Sequence, residues 1–352
     1  MIVSTTGSEK RSGENNHGYE KTASHDADTF TPPDCFSSRL TPPIKRPIFR
    51  FAPMRELLTD ILSSSSPSEA TAWLREKLDE QEANFSKRPF YYAFSGVSRH
   101  FPKRSRLEVG EAQAAALHEQ VPGFSLEHWD LFRLARVLLL LVLAKQEKAI
   151  FLETILALLN TADLREQAAI YSAYSLLPHQ EDLVESAVDG LRSNIVDVFD
   201  SIALNNPFPA VHFTDAAWNQ MVLKAIFISR PLYRITGLDS RRNGELAAAI
   251  SYLAHERWAA GRRIPAEAWR NCVGFVSDEV SSDLHHLLET GEPSDREAAA
   301  LILATDADPR LADLRGRLEG EIDAIGAGTL SWDRLGEKLE FPVTLNGSPA
   351  GV

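Results

Sequence analysis

Helix punctuation recurs at short intervals from Met54 to about Leu318, while Val, Ile and Thr runs alternating with polar residues between Gly and Asn turns are almost absent. Such a chain has few ways to build a sheet and many to build helices. Ser66-Pro67-Ser68-Glu69 places a cap serine, a proline at the first helical position and a glutamate three residues on, and Ser294 to Glu297 repeats the device. Asp308-Pro309 and Ile264-Pro265 put proline where its missing amide costs nothing, and Gly261 and Gly291 follow helical runs that a left-handed residue can end. The signals predict helices over about 53–62, 67–82, 110–120, 126–145, 148–160, 163–177, 179–192, 194–204, 214–229, 242–259, 265–275, 278–289, 294–304 and 309–320.

Short loops between these helices make most of them antiparallel neighbours. Leu164 to Leu177 (LREQAAIYSAYSLL) and Asp295 to Ala304 (DREAAALILA) mix alanines with larger apolar residues, as helices packed on two sides do. The expected fold is all-α: a HEAT-like stack of antiparallel helix pairs, either an α-solenoid or an irregular helical bundle. Ala83 to Val109 departs from the pattern, with aromatics, a glycine and Lys87, Arg88, Arg99, Lys103, Arg104 and Arg106; it reads as an irregular crossover on the helical core.

Composition sets the boundaries of the domain. Residues 1–53 form a polar, proline-bearing N-terminal extension expected to be disordered, the helical domain spans 54–320, and 321–352 is a C-terminal tail. Met54 opens the helical pattern and is a candidate translation start. The chain carries a formal charge of -12, which disfavours nucleic acid as a partner. Cys35 and Cys272 match no metal or disulfide spacing, as expected in a reducing compartment. The first ten residues lack the apolar core of a secretory signal. Val137 to Ala144 (VLLLLVLA) falls far short of the ~20 apolar residues of a membrane span, so no transmembrane segment is expected.

Familiar catalytic motifs are missing. The sequence holds no GxxxxGK[ST] loop, no GxGxxG after a strand and no GxSxG elbow. His255-Glu256 begins like a helical zinc motif, but Ala259 stands where the second histidine belongs, and adjacent His285 and His286 diverge around a helix. Neither a metal nor a cofactor is expected.

Residues 194–270 stand apart, because polar residues with demanding hydrogen-bond needs are set into apolar helices. Gln220 and Lys224 share a helical face with Phe227, while Asn219 points elsewhere, and Ser251, His255, Trp258 and Arg262 follow another stripe, flanked by Glu256 and Arg257. Asn219, Gln220, Lys224, His255, Glu256 and Arg257 are the ligand-binding candidates. The competing reading is that each fastens an irregular turn or helix end, since buried polar groups are hydrogen-bonded as a rule.

Asn205 to Pro209 (NNPFP), Ala217 to Phe227 (AWNQMVLKAIF), Ile235 to Ala247 (ITGLDSRRNGELA) and Tyr252 to Arg270 (YLAHERWAAGRRIPAEAWR) together resemble the EboA family, loosely from Met54 to about Trp332. The resemblance implies a metabolite-traffic protein in the making or movement of a secondary metabolite. Its implied partners are proteins of the same gene cluster, including a prenyltransferase-like membrane protein. The implied place is the cytoplasm or the periphery of the inner membrane. It brings no catalytic residue with it. Two readings follow: a non-catalytic scaffold or carrier, and an enzyme of unrecorded type acting on a small polar or phosphorylated metabolite. In the second, Lys224 and Arg257 would hold the anion and His255 or Glu256 would move protons. A third, a membrane adaptor, needs Arg99, Lys103, Arg104 and Arg106 on one exposed face.

Overall fold

The structure, a computed structural model, describes residues 51–102, 105–306 and 308–340. Nearly all of the expected N-terminal extension, Cys35, Lys103, Arg104 and residues 341–352 lie outside the described residues. In chain order the helices are α1 (Phe51–Ser65), α2 (Ser68–Ala83), α3 (Lys87–His100), α4 (Glu111–Gln120), α5 (Leu131–Val142), α6 (Lys148–Thr161), α7 (Leu164–Ala173), α8 (Val184–Arg192), α9 (Val196–Ala203), α10 (Phe208–His212), α11 (Asp215–Phe227), α12 (Gly244–Ala259), α13 (Asp278–Thr290), α14 (Pro293–Thr305), α15 (Glu319–Gly326) and α16 (Trp332–Leu339). Three 3₁₀ segments matter below: Leu232–Arg234, Ala266–Cys272 and Pro309–Arg317. The fold is all-α, with no strand among the described residues; an isolated antiparallel bridge joins Arg106 and Asp130.

The apolar run read from sequence becomes the centre of the molecule. Every residue of α5 except Arg133 is buried, and α5 packs on α1, α3 and α7, with α7 packing in turn on α9. Alternate helices therefore line up side by side, an arrangement compatible with stacked helix pairs. Burial from all sides explains why α5 is apolar all round. Asp130 sets its start by accepting the Arg133 amide at 2.8 Å, so the helix begins later than the sequence signals indicated. Among the described residues no helix is long and apolar enough to cross a membrane.

Arg136 lies inside that core. Its side chain is 1% exposed, its Nε–H donates to the Phe94 carbonyl at 3.3 Å, and Glu166 of α7 stands 3.6 Å away. Burial holds this guanidinium below its ordinary pKa.

Five expectations change. Residues 87–100 are a helix rather than a crossover, because Phe90, Ala93, Phe94 and Val97 recur at helical spacing and form one buried stripe. Arg88 and Arg99 stay on its exposed side. The domain does not stop at 320: α15 and α16 continue the helical body to Leu339, with Leu335 buried against the rest. The expected helix over 265–275 is instead the 3₁₀ segment Ala266–Cys272, and all of its residues are buried. Helix α14 starts at Pro293, where the Glu292 amide donates to Asp295 Oδ2 at 3.1 Å, so the cap stands ahead of Ser294. Of the two terminating glycines, Gly261 has the left-handed conformation (φ 67°), whereas Gly291 does not (φ -83°).

Candidate functional site

Helix α11 carries three of the six sequence candidates. Asn219 is buried and exchanges amide hydrogen bonds with Asn243, donating at 3.1 Å and accepting at 2.9 Å. Asn243 in turn caps α12 by accepting the Leu246 amide at 2.9 Å. Lys224 lies over the Phe199 ring and donates from Nζ to the carbonyls of Leu191 and, at 2.8 Å, Ser193. Those carbonyls belong to the last turn of α8 and the residue after it, so the ammonium caps that helix end. Gln220 is exposed.

The other three candidates sit at the far end of α12, roughly 18 Å along the helix from Asn243 at its rise per residue. His255 Nε2 lies 2.5 Å from Asp283 Oδ1, and the Ser251 hydroxyl donates to the other oxygen at 2.6 Å. Asp283 is buried on α13, so this triplet clamps α12 to α13. Trp258 continues the clamp, its ring 4.4 Å from that of His286 and 6.1 Å from that of Trp269. Arg257 Nε donates to the Arg263 carbonyl at 2.7 Å and closes the turn after α12; Glu256 is exposed. The structure thus distributes the six between two separate locations.

Sequence reading missed a larger constellation in the turns between the helices. Arg230 forms a two-point pair with Asp200 at 2.8 and 2.6 Å. Arg241 donates to the carbonyls of Ala210 and Phe213 at 2.8 and 2.9 Å and lies over the Trp218 ring. Arg270 grips both oxygens of Asp239 at 2.7 Å and reaches Asp333 of α16 at 2.7 Å. Burial alone would raise the Asp239 pKa, but the Arg270 hydrogen bonds and charge outweigh it and, with Arg242, pull it down to about 2. Glu267 accepts the Leu232 and Tyr233 amides at 3.2 and 2.7 Å, and burial pushes its carboxyl up to about 7 against those bonds. Arginine and aspartate spaced two or three apart within apolar sequence, as in Asp239-Ser240-Arg241-Arg242, are the signal that was available.

Beside this network Tyr233 and Arg234 take hold of one carboxylate. The Tyr233 hydroxyl donates to one oxygen of Glu340 and Arg234 Nη1 to the other at 2.9 Å. Burial raises the Tyr233 pKa and the Glu340 contact adds to it, so the phenol keeps its proton. Glu340 titrates below its ordinary range: burial works against this, and the Tyr233 bond and the Arg234 charge overcome it. The NNPFP turn supports the same place from below. Asn205 has a left-handed backbone (φ 53°) and its amide donates to the Arg234 carbonyl at 2.7 Å. Asn206 is buried and donates to the Ser201 and Tyr171 carbonyls at 3.0 and 3.3 Å.

Two cavities lie elsewhere. One of about 520 Å³ opens between α14, α15 and α16 and is lined in part by Glu297, Glu321, Arg334 and Lys338. Another of about 200 Å³ lies over Asp130, Arg133, Arg165 and Asp197. None of the six sequence candidates lines either cavity.

A family model described as metabolite traffic protein EboA matches residues 54–273. No curated protein and no solved structure matches the chain.

Proposed function

The chain belongs to the EboA family, and on that premise we propose that it serves metabolite traffic as a non-catalytic helical scaffold or carrier. It acts in the biosynthesis and movement of a secondary metabolite together with proteins of its gene cluster, among them a prenyltransferase-like membrane protein. On this reading it works in the cytoplasm or at the inner-membrane surface, and its helix pairs stack into a binding surface. The observation that carries the proposal is how the polar residues of the family-matched segments are used. Lys224, His255, Arg241 and Arg270 each hold a helix end, a turn or a neighbouring element, so the segments form a rigid platform.

A second reading has one observation behind it. Glu267 is a buried carboxyl pushed up to about 7, the range a proton-moving group needs in an enzyme acting on a small polar or phosphorylated metabolite. Both of its oxygens already accept backbone amides, as a structural cap does, so the scaffold reading stands first.

Metabolite profiling of a deletion strain, restored with wild type or with Lys224→Met, separates the two. On the scaffold reading Lys224→Met loses about 1–3 kcal/mol of stability, because the Leu191 and Ser193 carbonyls lose their donor. Metabolite output then falls only in step with the amount of folded protein. Output lost at a normal level of folded protein would transfer the case to the enzyme.

A further inference from the structure

We propose that Tyr233 and Arg234 form a receptor for the carboxylate of a small organic acid, and that Glu340, the residue that follows α16, fills it in the free protein. The proposal names the ligand class for the carrier role above and rests on that reading. Its first support is the geometry of the Glu340 contact. A phenol donates to one carboxylate oxygen and a guanidinium to the other, which is two-point recognition of a planar anion. The second support is donor capacity left over. The Arg234 side chain is only 10% exposed, yet its buried Nε–H finds no acceptor among the described residues. The same holds for the side-chain amide nitrogen of Asn205, whose backbone is bonded to the Arg234 carbonyl. An interior donor without a partner costs free energy in a finished fold, and a ligand with more oxygens than one glutamate could meet both.

The occupant and the seat come from different parts of the chain. Tyr233, Arg234 and Asn205 lie inside the family-matched residues, whereas α16 lies beyond them. Helix α16 rests on α14 and on the 3₁₀ segments Leu232–Arg234 and Ala266–Cys272. At the crossing stands Gly336, where a Cβ would collide with the Glu267 carboxylate and the Tyr233 ring. Besides the buried Leu335 and Gly336 and the partly buried Trp332 and Leu339 against the core, α16 is held by ion pairs: Glu340 on Arg234, Asp333 on Arg270 and Lys338 on Glu297 at 2.7 Å. Asp333 and Lys338 are largely exposed, so those two pairs add little, and the helix can yield to a competing anion. The charged groups around the seat are Arg106, Glu127 and His128 in addition to Arg234 and Glu340. When Glu340 leaves, the balance shifts toward the cations.

The test is calorimetric titration of the full chain with sodium malonate, with inorganic phosphate as the second arm. Glu340→Gln removes the built-in competitor, and malonate affinity should rise about tenfold over wild type, since the open state no longer has to be won from the closed one. In the Glu340→Gln background, Tyr233→Phe should weaken malonate by roughly tenfold or more, the loss expected for one hydrogen bond to a charged group. Malonate added to wild type should speed amide hydrogen exchange in 332–339 and slow it in 232–235. Unchanged affinity in Glu340→Gln, or indifference to Tyr233→Phe, overturns the receptor. Phosphate binding as tightly as malonate overturns the carboxylate assignment. A receptor that passes these tests in a protein whose deletion leaves the metabolite profile intact would stand while the traffic reading fell.

Discussion

The α5–α7–α9 row and the turn-rich stretch from Asn205 to Cys272 both contribute side chains to the core, yet they are held together by different physics. In the row, apolar side chains fill the space and Arg136 is a charged intruder with a loose partner at 3.6 Å. In the turns, guanidiniums are gripped at two points: Arg230 by Asp200 and Arg270 by Asp239. Helices satisfy their own backbone, so their packing needs only shape and apolar area. Turns leave carbonyls and amides unpaired, and side chains must meet them. Arg241 on the Ala210 and Phe213 carbonyls and Glu267 on the Leu232 and Tyr233 amides are such meetings. The lesson is that a concentration of polar residues inside apolar sequence marks first the place where helices stop.

If this division is right, the same chemical change should act with different sign in the two regions. Arg270→Met takes a guanidinium from two carboxylates and should cost about 2–4 kcal/mol, somewhat below the usual penalty for splitting a buried pair because Asp239 keeps Arg242 and Asp333 is largely exposed. Urea unfolding measures it, and a loss under about 1 kcal/mol would show that the turns do not depend on their ion pairs.

An effect of similar size comes from pH. The folded-state pKa of Glu267 is raised from 4.5 to about 7, so the native protein holds a proton that the unfolded chain has released. Its contribution is fully present below about 4.5 and is lost as pH rises through about 7. The full loss amounts to roughly 3 kcal/mol. Urea midpoints should therefore fall as pH rises through that window, and Glu267→Gln should remove this slope. Subtracting the variant's profile isolates Glu267 from His128, which burial lowers, and His285, which its bonds to Ser281 and Asp313 raise.

The row was legible in the sequence because its information is local. Apolar spacing located α5, α6 and α7, and Asp308 and Gly261 act as read, whereas Ser66 bonds the Thr71 hydroxyl instead of capping α2, and Ser294 lies inside α14. Helix α3 was hidden because the spacing of Phe90, Phe94 and Val97 is interrupted by Gly96 and crowded by basic residues that face solvent. Helix α16 was hidden because it is short and its reason to be helical lies in what it packs on. The same distinction governs the site. Spacing alone picked out Lys224 and His255 as polar residues that need partners. The carbonyls of Leu191 and Ser193 and the carboxylate of Asp283 come from other helices, and no local pattern announces them. Tyr233 and Glu340 are 107 residues apart, a pairing that only the folded chain reveals.

The smallest expected effect is the sharpest contrast, because it applies the Arg270 substitution to the other region. Arg136 is fully desolvated, its Nη1 has no partner among the described residues, and its nearest carboxylate is beyond hydrogen-bond reach. What the guanidinium gains is one 3.3 Å bond to the Phe94 carbonyl and positions over the Phe94 and Phe132 rings at 5.7 Å. Those gains fall short of the cost of burying the charge, which is why its pKa falls. Methionine would keep much of the packing volume in a site walled by aromatic and aliphatic side chains. Glu166 would keep its own bond to the Asp163 amide at 3.0 Å, so no carboxylate would be stranded. Arg136→Met should therefore change stability by less than about 1 kcal/mol in either direction, with a gain the expected sign. A loss as large as that of Arg270→Met would mean that the helical row also depends on its one buried guanidinium and that the two regions are not held by different forces.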